Sequence, residues 1–400
     1  MNLLLFLGSG VSRRAGLPMV NGVMDLLLHA PYYRDERERF RRGRRPPELP
    51  RKVDNVPEIR RLIRLLARYD RADRERIGLA RAGRGYTRSG AVFRTATTYE
   101  DIFALCRQID YWMHGLSDNA LTTAFLERIA ADAGTIVKAR DRRARIVGIG
   151  QLAIAATFFI QAVVADALRS TNVVGFDLLL ELIAAPDITQ VIIVTLNHDT
   201  LVEQLLARAG ISVVNGFGIP DGDVRWYDDA HYEVSDARVK LIKLHGSIDW
   251  YDFERGPRTL PGTLIRGDIA TAVDGGGNRL QLSSITPSFL SGGEKEAWYQ
   301  HGIYADLHFR FHQALRQCQR MVMSGYGWGD TGITNQIDRW LEQKPSSRLV
   351  LLHESPEEIV ARSPIAAKSY EGLLRRRQLI PIRSWMCDTS LATVSPTLGI

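Results

Sequence analysis

Residues 3–18 read LLLFLGSGVSRRAGLP, and this stretch decides the fold that the sequence predicts. The apolar run Leu3–Leu7 has the length and character of a strand buried in a parallel sheet. It ends in a Gly-x-Gly-x-Ser turn at residues 8–12, where glycine lets the backbone approach a ligand closely. Backbone N–H groups there, with Ser12 beside them, are suited to hold a pyrophosphate at the start of a helix. A plain tight connection remains the alternative, because the third glycine and the downstream acid of the dinucleotide fingerprint do not fall in register.

The composition indicates a globular α/β protein. The 400 residues, 45% of them hydrophobic, suffice for one large core or two modest ones. Three widely spaced cysteines, Cys106, Cys318 and Cys387, form no Cys-x-x-Cys pair, so neither a disulfide framework nor a zinc site is predicted. No signal-peptide pattern precedes the first strand, and we therefore expect a reduced, cytoplasmic setting.

The middle of the chain is predicted to be a mainly α-helical insertion. We assign residues 31–187 to it and residues 1–30 plus 188–400 to an α/β body. The net charge of +7 is concentrated in an arginine-rich segment at residues 34–94. We interpret this segment as a solvated surface whose arginines pair with its own acids, with a nucleic-acid contact as the alternative.

One apolar stretch, residues 146–168, is about long enough to cross a bilayer and follows a basic run. Gln151, Gln161 and Asp166 interrupt it, and its many alanines and glycines suit close helix packing. We therefore predict a buried or subunit-interface helix and no membrane contact.

Polar residues follow each of the later predicted strands. The strand at 191–195 leads to Asn197 and Asp199, and the strand at 239–244 leads to His245. The strands at 321–324 and 348–352 lead to Gly325–Asp330 and to His353 and Glu354. Ligands bind outside the carboxyl ends of parallel strands, so these groups can converge. Residues 252–296, rich in glycine, proline and polar residues, predict a loop-dominated lid or edge.

Simpler roles are open for these residues. Asn197 or Asp199 could cap the following helix, and His245 could be a turn residue satisfied by backbone. His308 and His312 have the i, i+4 spacing of a metal pair, but no third ligand is evident, and we assign no metal.

Four motifs in order resemble the signature of the SIR2 (sirtuin-like) superfamily. They are Gly8-Ser9-Gly10-Val11-Ser12 with Ala15-Gly16-Leu17-Pro18, Thr195-Leu196-Asn197-His198-Asp199, Leu244-His245-Gly246, and Gly325-Tyr326-Gly327. Within the superfamily the chain is most similar to bacterial SIR2-like NAD-hydrolysing proteins of antiphage defence. The resemblance implies a Rossmann-like, sirtuin-like parallel sheet, with NAD extended across its edge as the substrate.

The resemblance also implies roles for individual residues. Asn197 and Asp199 would meet the nicotinamide ribose and the attacking water, and His245 would be the general base or a ribose-hydroxyl partner. The implied NAD-binding residues are Gly8, Ser9, Gly10, Ser12, Leu17, Pro18, Thr195, Gly325, Tyr326, Asp330, His353 and Glu354. These residue types suit the chemistry, because cleavage of an N-glycosidic bond passes through an oxocarbenium-like state that a nearby acid and a positioned nucleophile stabilise.

The implied activity is NAD⁺ hydrolysis to nicotinamide and ADP-ribose, used to deplete NAD during phage infection. Such an enzyme needs restraint at rest, so we expect a homo-oligomer or a regulatory partner, for which a HerA-type ATPase is a candidate. A protein deacylase is one alternative, although the four zinc-binding cysteines of sirtuin deacylases have no counterpart between Trp250 and Arg316. A non-catalytic sensor of NAD or ADP-ribose is the other.

Overall fold

A seven-stranded parallel sheet organises the chain in the computed structural model. The structure describes residues 1–50, 54–83, 97–116, 119–138, 141–234, 237–265, 269–292, 295–361 and 363–400. In spatial order the strands are β14 (Leu379–Ile382), β13 (Arg348–Leu352), β12 (Arg320–Ser324), β1 (Asn2–Leu7), β4 (Gln190–Thr195), β8 (Val239–Lys243) and β5 (Val213–Val214). All neighbouring strands are parallel. The predicted α/β fold class with a Rossmann-like sheet is therefore confirmed, and β14 is the strand that the sequence analysis did not identify.

Strand β1 lies at the centre of this sheet and is buried on both faces. Leu4 and Phe6 contribute to the core on one side, and Leu3, Leu5 and Leu7 to the core on the other. This two-sided burial explains why the run is continuously apolar instead of alternating.

Helices cover both faces of the parallel sheet. One face packs against α6 (Asp177–Ala184), α7 (Leu201–Arg208) and α14 (Leu391–Leu398). The other packs against α10 (Gly302–Gln317), α11 (Thr331–Gln343), α12 (Pro356–Ala361) and α13 (Pro364–Arg375).

A second core is formed by five helices in the first half of the chain. They are α1 (Val20–His29), α2 (Val56–Gly83), α3 (Tyr99–Met113), α4 (Ala120–Ala130) and α5 (Arg142–Ala167). A hairpin of β2 (Tyr32–Arg34) and β3 (Phe40–Arg42) packs beside them. The division of the chain into residues 1–30 plus 188–400 and residues 31–187 stays a prediction.

Helix α5 is the central helix of this second core. By length and composition alone, its residues Arg143–Ala167 could cross a membrane. In the fold, however, Phe159, Ile160 and Val163 are fully buried, and α1, α2, α3 and α4 all contact α5. This packing is that of the buried helix predicted from the sequence.

An antiparallel sheet occupies much of the region predicted to be loop-dominated. It contains β11 (Gln281–Leu282), β9 (Trp250–Arg255), β10 (Arg258–Leu264), β7 (Val224–Tyr227) and β6 (Phe217–Asp221). The loop prediction was wrong for β9 and β10 because Tyr251 and Phe253 alternate inward onto Val224 and form a small core of their own. Two short helices, α8 (His231–Val234) and α9 (Lys295–Trp298), complete the described elements.

Arginines in the described part of the arginine-rich segment pair with acids. Arg39 and Arg41 share Asp35, Arg74 contacts Asp70, and Arg68 contacts Asp132. The partners of Arg39, Arg41 and Arg74 lie within the segment, as the self-paired interpretation predicts, whereas Asp132, the partner of Arg68, lies outside it. Residues 51–53 and 84–96 of this segment lie outside the described residues, and a nucleic-acid contact stays a prediction.

Candidate active site

A buried hydrogen-bonded cluster joins the ends of β1 and β4. Ser12 Oγ donates to Asp199 Oδ2 at 2.8 Å, and Asn197 Nδ2 lies 3.1 Å from both Ser12 Oγ and the Gly8 carbonyl oxygen. Ser12, Asn197 and Asp199 are each at most 8% exposed. The two motifs meet because β1 and β4 are parallel neighbours in register.

Three local hydrogen bonds fix the geometry of this cluster. The Thr195 hydroxyl donates to the Leu7 carbonyl and accepts from the Asn197 N–H, both at 3.1 Å, so it ties the two strand ends together. Asp199 Oδ1 accepts from the Leu201 N–H at the start of α7. Asp199 therefore contacts the first residue of α7, whose N-cap is Thr200, while its other oxygen holds Ser12.

Lys243, which was not singled out from the sequence, contacts the backbone of the cluster at Asp199. Its ammonium donates to the Asp199 carbonyl at 2.5 Å and to Glu203 Oε1 at 2.8 Å. The side chain is 2% exposed at the last position of β8. A buried lysine is favourable only when paired in this way, so it fixes the backbone at Asp199.

One atom of the cluster is unsatisfied. Among the described residues, Asn197 Oδ1 is buried and has no hydrogen-bond partner. A buried polar atom left in this state costs about 1–3 kcal/mol, which a ligand donor would recover. Asn197 Oδ1 can therefore accept one further hydrogen bond.

His245 leaves β8 at the same level at which Asn197 leaves β4, because Thr195 and Lys243 are register partners. The turn after it needs glycine: Gly246 has φ +78°, and a Cβ there would lie 2.6 Å from the Ser288 carbonyl oxygen. His245 is buried, and the ring centroids of His245 and His198 are 6.3 Å apart.

The ring of His245 is held by side chains, not by the backbone of its turn. His245 Nε2 lies 3.2 Å from Asp330 Oδ2 and 3.1 Å from the Tyr299 hydroxyl. Tyr299 in turn donates to Asp330 Oδ2 at 2.5 Å. Asp330 Oδ1 accepts from the Ile333 N–H and caps α11. Tyr299 was missed from the sequence, because it follows a four-residue helix and no predicted strand.

Burial and charge set the protonation of this group. Burial lowers the pKa of His245, the positive charge of Lys295 lowers it further, and the Asp330 carboxylate opposes both. Burial would raise the pKa of Asp330, but hydrogen bonds from His245 and Tyr299 hold it well below its usual range. At neutral pH we therefore expect a neutral imidazole beside an ionised carboxylate.

The two glycine-rich turns contact each other. Gly8 N–H donates to the Ser324 carbonyl at 2.9 Å, and Gly10 N–H donates to the Gly325 carbonyl at 3.0 Å. A Cβ on Gly8 would lie 2.4 Å from the Gly325 oxygen. These glycines are thus required for turn-to-turn packing. Because their N–H groups already have partners, the structure does not support their donation to a pyrophosphate; a location near the phosphates stays a prediction.

Other predicted NAD-binding residues differ in exposure. The Tyr326 ring packs on Phe6, and its hydroxyl donates to the Asp330 carbonyl at 2.9 Å. Leu17 is buried in the sheet core, Pro18 is half-buried and Ser9 is exposed. Tyr326 and Leu17 therefore support the site from the core side, and direct contact of these residues with NAD stays a prediction.

The far end of the site lies at β13 and β14. Trp385, not singled out from the sequence, donates from Nε1 to Glu354 Oε2 at 3.2 Å and packs edge-on against His353 at 4.6 Å between centroids. Its ring also borders the first glycine turn: a Cβ added to Gly10 would lie 3.3 Å from Cζ3 of Trp385. Trp385 is partly exposed and thus joins the Gly10 turn to His353 and Glu354.

The i, i+4 histidine pair does not form a metal site. His308 is buried and its ring stacks on Tyr299 at 3.8 Å, whereas His312 is exposed. Burial lowers the pKa of His308 to about 3. In the described ranges, no group of three or more His, Cys, Asp or Glu side chains is arranged to hold a metal ion.

Together these features define an α/β protein with a polar cluster at the carboxyl edge of a parallel sheet. Residues 191–373, slightly under half of the chain, match the family model of the SIR2-like domain. The chain therefore carries a segment similar to SIR2-like domains, as the motifs predicted.

Two solved structures are also similar to the chain. One is described as a SIR2 homolog in complex with NAD, with 12% identity, 94% of this chain and 89% of that chain covered, and a TM-score of 0.36. The other is a triple mutant of Sir2 homologues with 2′-O-acetyl ADP ribose, with 12% identity, coverage of 94% and 91%, and a TM-score of 0.33. Similarity at this level does not place any side chain. The curated proteins contain no match to this chain.

Proposed function

We propose that this chain is an NAD⁺ glycohydrolase, which converts NAD⁺ and water to nicotinamide and ADP-ribose. The observation that carries the proposal is the buried Ser12–Asn197–Asp199 cluster, with Asn197 Oδ1 unpartnered, beside His245 on the next strand. The match to the SIR2-like domain supports NAD as the substrate.

The proposed reaction breaks the bond between ribose C1′ and the nicotinamide nitrogen. The bonding electron pair goes to that nitrogen and neutralises the pyridinium. A water oxygen then bonds to C1′ and gives its proton to His245. Asp199 supplies the negative charge that stabilises the oxocarbenium-like state, and Asn197 Oδ1 accepts a hydrogen bond from a ribose hydroxyl or from the water. A histidine kept neutral by burial is suited to take the proton at neutral pH.

The direct test is release of nicotinamide and ADP-ribose from NAD⁺ by the purified protein, with and without an acetyl-lysine peptide. We expect peptide-independent turnover that falls about 10²-fold or more in Asn197→Ala and in His245→Ala. The matched control is His312→Ala, which removes an exposed histidine and should leave turnover unchanged.

Two outcomes would favour the alternatives. Nicotinamide release that depends on the peptide and yields O-acyl-ADP-ribose would identify a deacylase. Thermal stabilisation by NAD without turnover would identify a sensor, because any ligand that binds only the folded state raises its stability.

From the motif resemblance, we further propose that the activity depletes cellular NAD during phage infection. A homo-oligomer, or a complex with a HerA-type ATPase, would restrain the enzyme at rest. Mass measurement in solution and a pulldown from the native host test these two assemblies, and a monomer that recovers no ATPase would contradict both.

A further inference from the structure

The side chains of Asp330 and Tyr299 contact each other and the ring of His245. Asp330 is anchored through Oδ1 to the Ile333 N–H, and its Oδ2 lies 2.5 Å from the Tyr299 hydroxyl and 3.2 Å from His245 Nε2. The side chains of His245 and Asp330 are 4% and 10% exposed. The carboxylate therefore has fixed partners from three elements.

The protons in this group can be assigned by counting donors. The Tyr299 hydroxyl donates to Asp330 Oδ2, because an ionised carboxylate can only accept. The pKa of Asp330 is held below its usual range, and burial together with the Asp330 charge raises the pKa of Tyr299, so we expect the proton on Tyr299. A phenol has only one proton, so towards His245 the Tyr299 oxygen can only accept.

His245 Nε2 consequently faces two acceptors, the Asp330 carboxylate and the Tyr299 oxygen. Two acceptors and an unprotonated nitrogen would repel, so the neutral ring carries its proton on Nε2. Nδ1 is then the nitrogen with a free lone pair.

We propose that Asp330, assisted by Tyr299, is a positioning residue that holds His245 in the Nε2–H tautomer and makes Nδ1 the proton acceptor. The tautomer follows from the contacts of His245 together with an ionised Asp330, whereas its use in catalysis rests on the proposed glycohydrolase function. Asp330 thereby receives a role different from the NAD contact predicted for it from the sequence.

Charged and titratable groups reach His245 from several elements. They are His198 after β4, Glu100 on α3, Lys295 on α9, Tyr299 after α9, His308 on α10 and Asp330 before α11. Lys295 pairs with Glu100 at 2.7 Å, which limits its effect on the ring. Asp330 is thus the acid in direct contact with the imidazole, and its removal should lower the pKa of His245 further.

The first test does not depend on turnover. The protein is labelled with ¹⁵N-histidine, the ring signals of His245 are assigned by their loss in His245→Gln, and the tautomer is read from the two nitrogen shifts. We expect protonated Nε2 and unprotonated Nδ1 in the wild type. A wild-type ring protonated on Nδ1 would overturn the proposal, whether or not the protein hydrolyses NAD.

Asp330→Asn then tests the role of the carboxylate. The amide oxygen can still accept from the Ile333 N–H, so the cap of α11 is kept, while the amide NH₂ can donate to Nε2 and favour the opposite tautomer. We expect the Nδ1–H form to increase in the nitrogen spectrum. Retention of the wild-type tautomer in this variant would overturn the proposal.

Kinetics of the same variant complete the design. We expect kcat for NAD hydrolysis to fall about 10²–10⁴-fold with KM changed only a few-fold, and the acidic limb of the pH profile to move to lower pH. Tyr299→Phe should keep the tautomer and lose less activity, because the carboxylate remains. The control Asp141→Asn makes the same change at the N-cap of α5, where Asp141 accepts from the Ala144 N–H at 2.8 Å, and should alter neither readout.

The failure of the two proposals can be told apart. A wild-type enzyme with the Nε2–H tautomer but no hydrolysis would contradict the proposed function alone. Normal hydrolysis by Asp330→Asn would contradict the positioning role alone.

Discussion

The two ends of the candidate site are built in different ways. At the ends of β1, β4 and β8, the side chains of Ser12, Asp199 and His245 are buried and hydrogen-bonded to side-chain partners. At the ends of β13 and β14, Glu354 is exposed and Trp385 is partly exposed. Fixed, water-excluded groups favour stabilisation of a transition state, whereas exposed groups favour capture of a ligand. From this comparison we propose that the buried end performs the chemistry and that the exposed end binds the ligand. The predictions below test how the buried end is held together and which end affects kcat or KM.

The largest expected effect is a loss of unfolding free energy when Lys243, which holds the backbone of the buried end, is replaced. Lys243→Met removes the cation that pairs with Glu203 and holds the Asp199 carbonyl. Breaking a buried ion pair from one side costs about 3–5 kcal/mol. We expect this loss in the free energy of unfolding measured by urea titration.

The matched control is Lys240→Met, three residues earlier on β8. Lys240 is half-buried and donates to the Tyr232 carbonyl at 2.9 Å, so about 1 kcal/mol is expected. Equal effects of the two substitutions would show that Lys243 is an ordinary strand residue.

Within the buried end, Ser12→Ala tests whether the cluster acts as one unit. It removes the donor to Asp199 and the acceptor for Asn197. Hydrogen bonds to charged groups contribute about 1.5–3 kcal/mol, so kcat for NAD hydrolysis should fall about ten- to hundredfold. Ser390→Ala, at an exposed hydroxyl distant in sequence from the motifs, should retain full activity; a Ser12→Ala enzyme with normal kcat would remove the cluster from the chemistry.

Low pH should lower the free energy of unfolding because of His308, which stacks on Tyr299 beside the buried end. The unfolded His308 imidazole has a pKa near 6.5, and burial lowers the pKa in the folded state to about 3. Between these values the unfolded chain binds a proton that the folded chain does not, so stability decreases as pH falls below about 6.5. Each pH unit below 6.5 lowers the free energy of unfolding by about 1.4 kcal/mol, so the loss is about 2 kcal/mol at pH 5.

His308→Phe isolates this contribution, because phenylalanine can keep the stacking on Tyr299 without a titrating group. The difference in unfolding free energy between wild type and His308→Phe should shift in favour of the variant as pH falls from 7 to 5. The exposed His312→Gln should follow the wild type, and a pH-independent difference for His308→Phe would contradict the predicted proton linkage.

The buried end could be predicted from the sequence better than the contacts that fix it. Strands β1, β4 and β8 are continuous apolar runs, and the rule that ligands bind at the carboxyl ends of parallel strands brought Asn197 and His245 to one edge. Tyr299 could be connected to His245 only by tertiary structure, because it lies 54 residues away and follows no predicted strand. Asp330 was expected at the same sheet edge, but its contact with His245 was not predicted. The glycines of the first turn were identified, but their contact with Gly325 was not.

The exposed end was less predictable for a different reason. Strand β14 has four residues and contains Pro381, which cannot donate to a ladder, so its sequence does not have the pattern of a strand. Trp385, three residues after the end of this strand, therefore had no position in the predicted sheet. Short edge strands are recognised from their neighbours, and here β13 supplies the pairing.

The smallest expected effect tests the exposed end. Trp385 borders the Gly10 turn and contacts His353 and Glu354, which the SIR2 resemblance implies face the adenine ribose of NAD. Stacking of a base on an aromatic ring contributes about 1–3 kcal/mol, and the partial exposure of Trp385 favours the lower value. Trp385→Ala should therefore raise KM for NAD about fivefold with little change in kcat. Trp385→Phe should recover most of this loss. Glu354→Gln changes the hydrogen-bond partner of Trp385 and keeps its ring, so it separates the hydrogen bond from the ring contact. A fall in kcat at constant KM would place Trp385 with the chemical groups, and the division between a buried end for chemistry and an exposed end for binding would then be wrong.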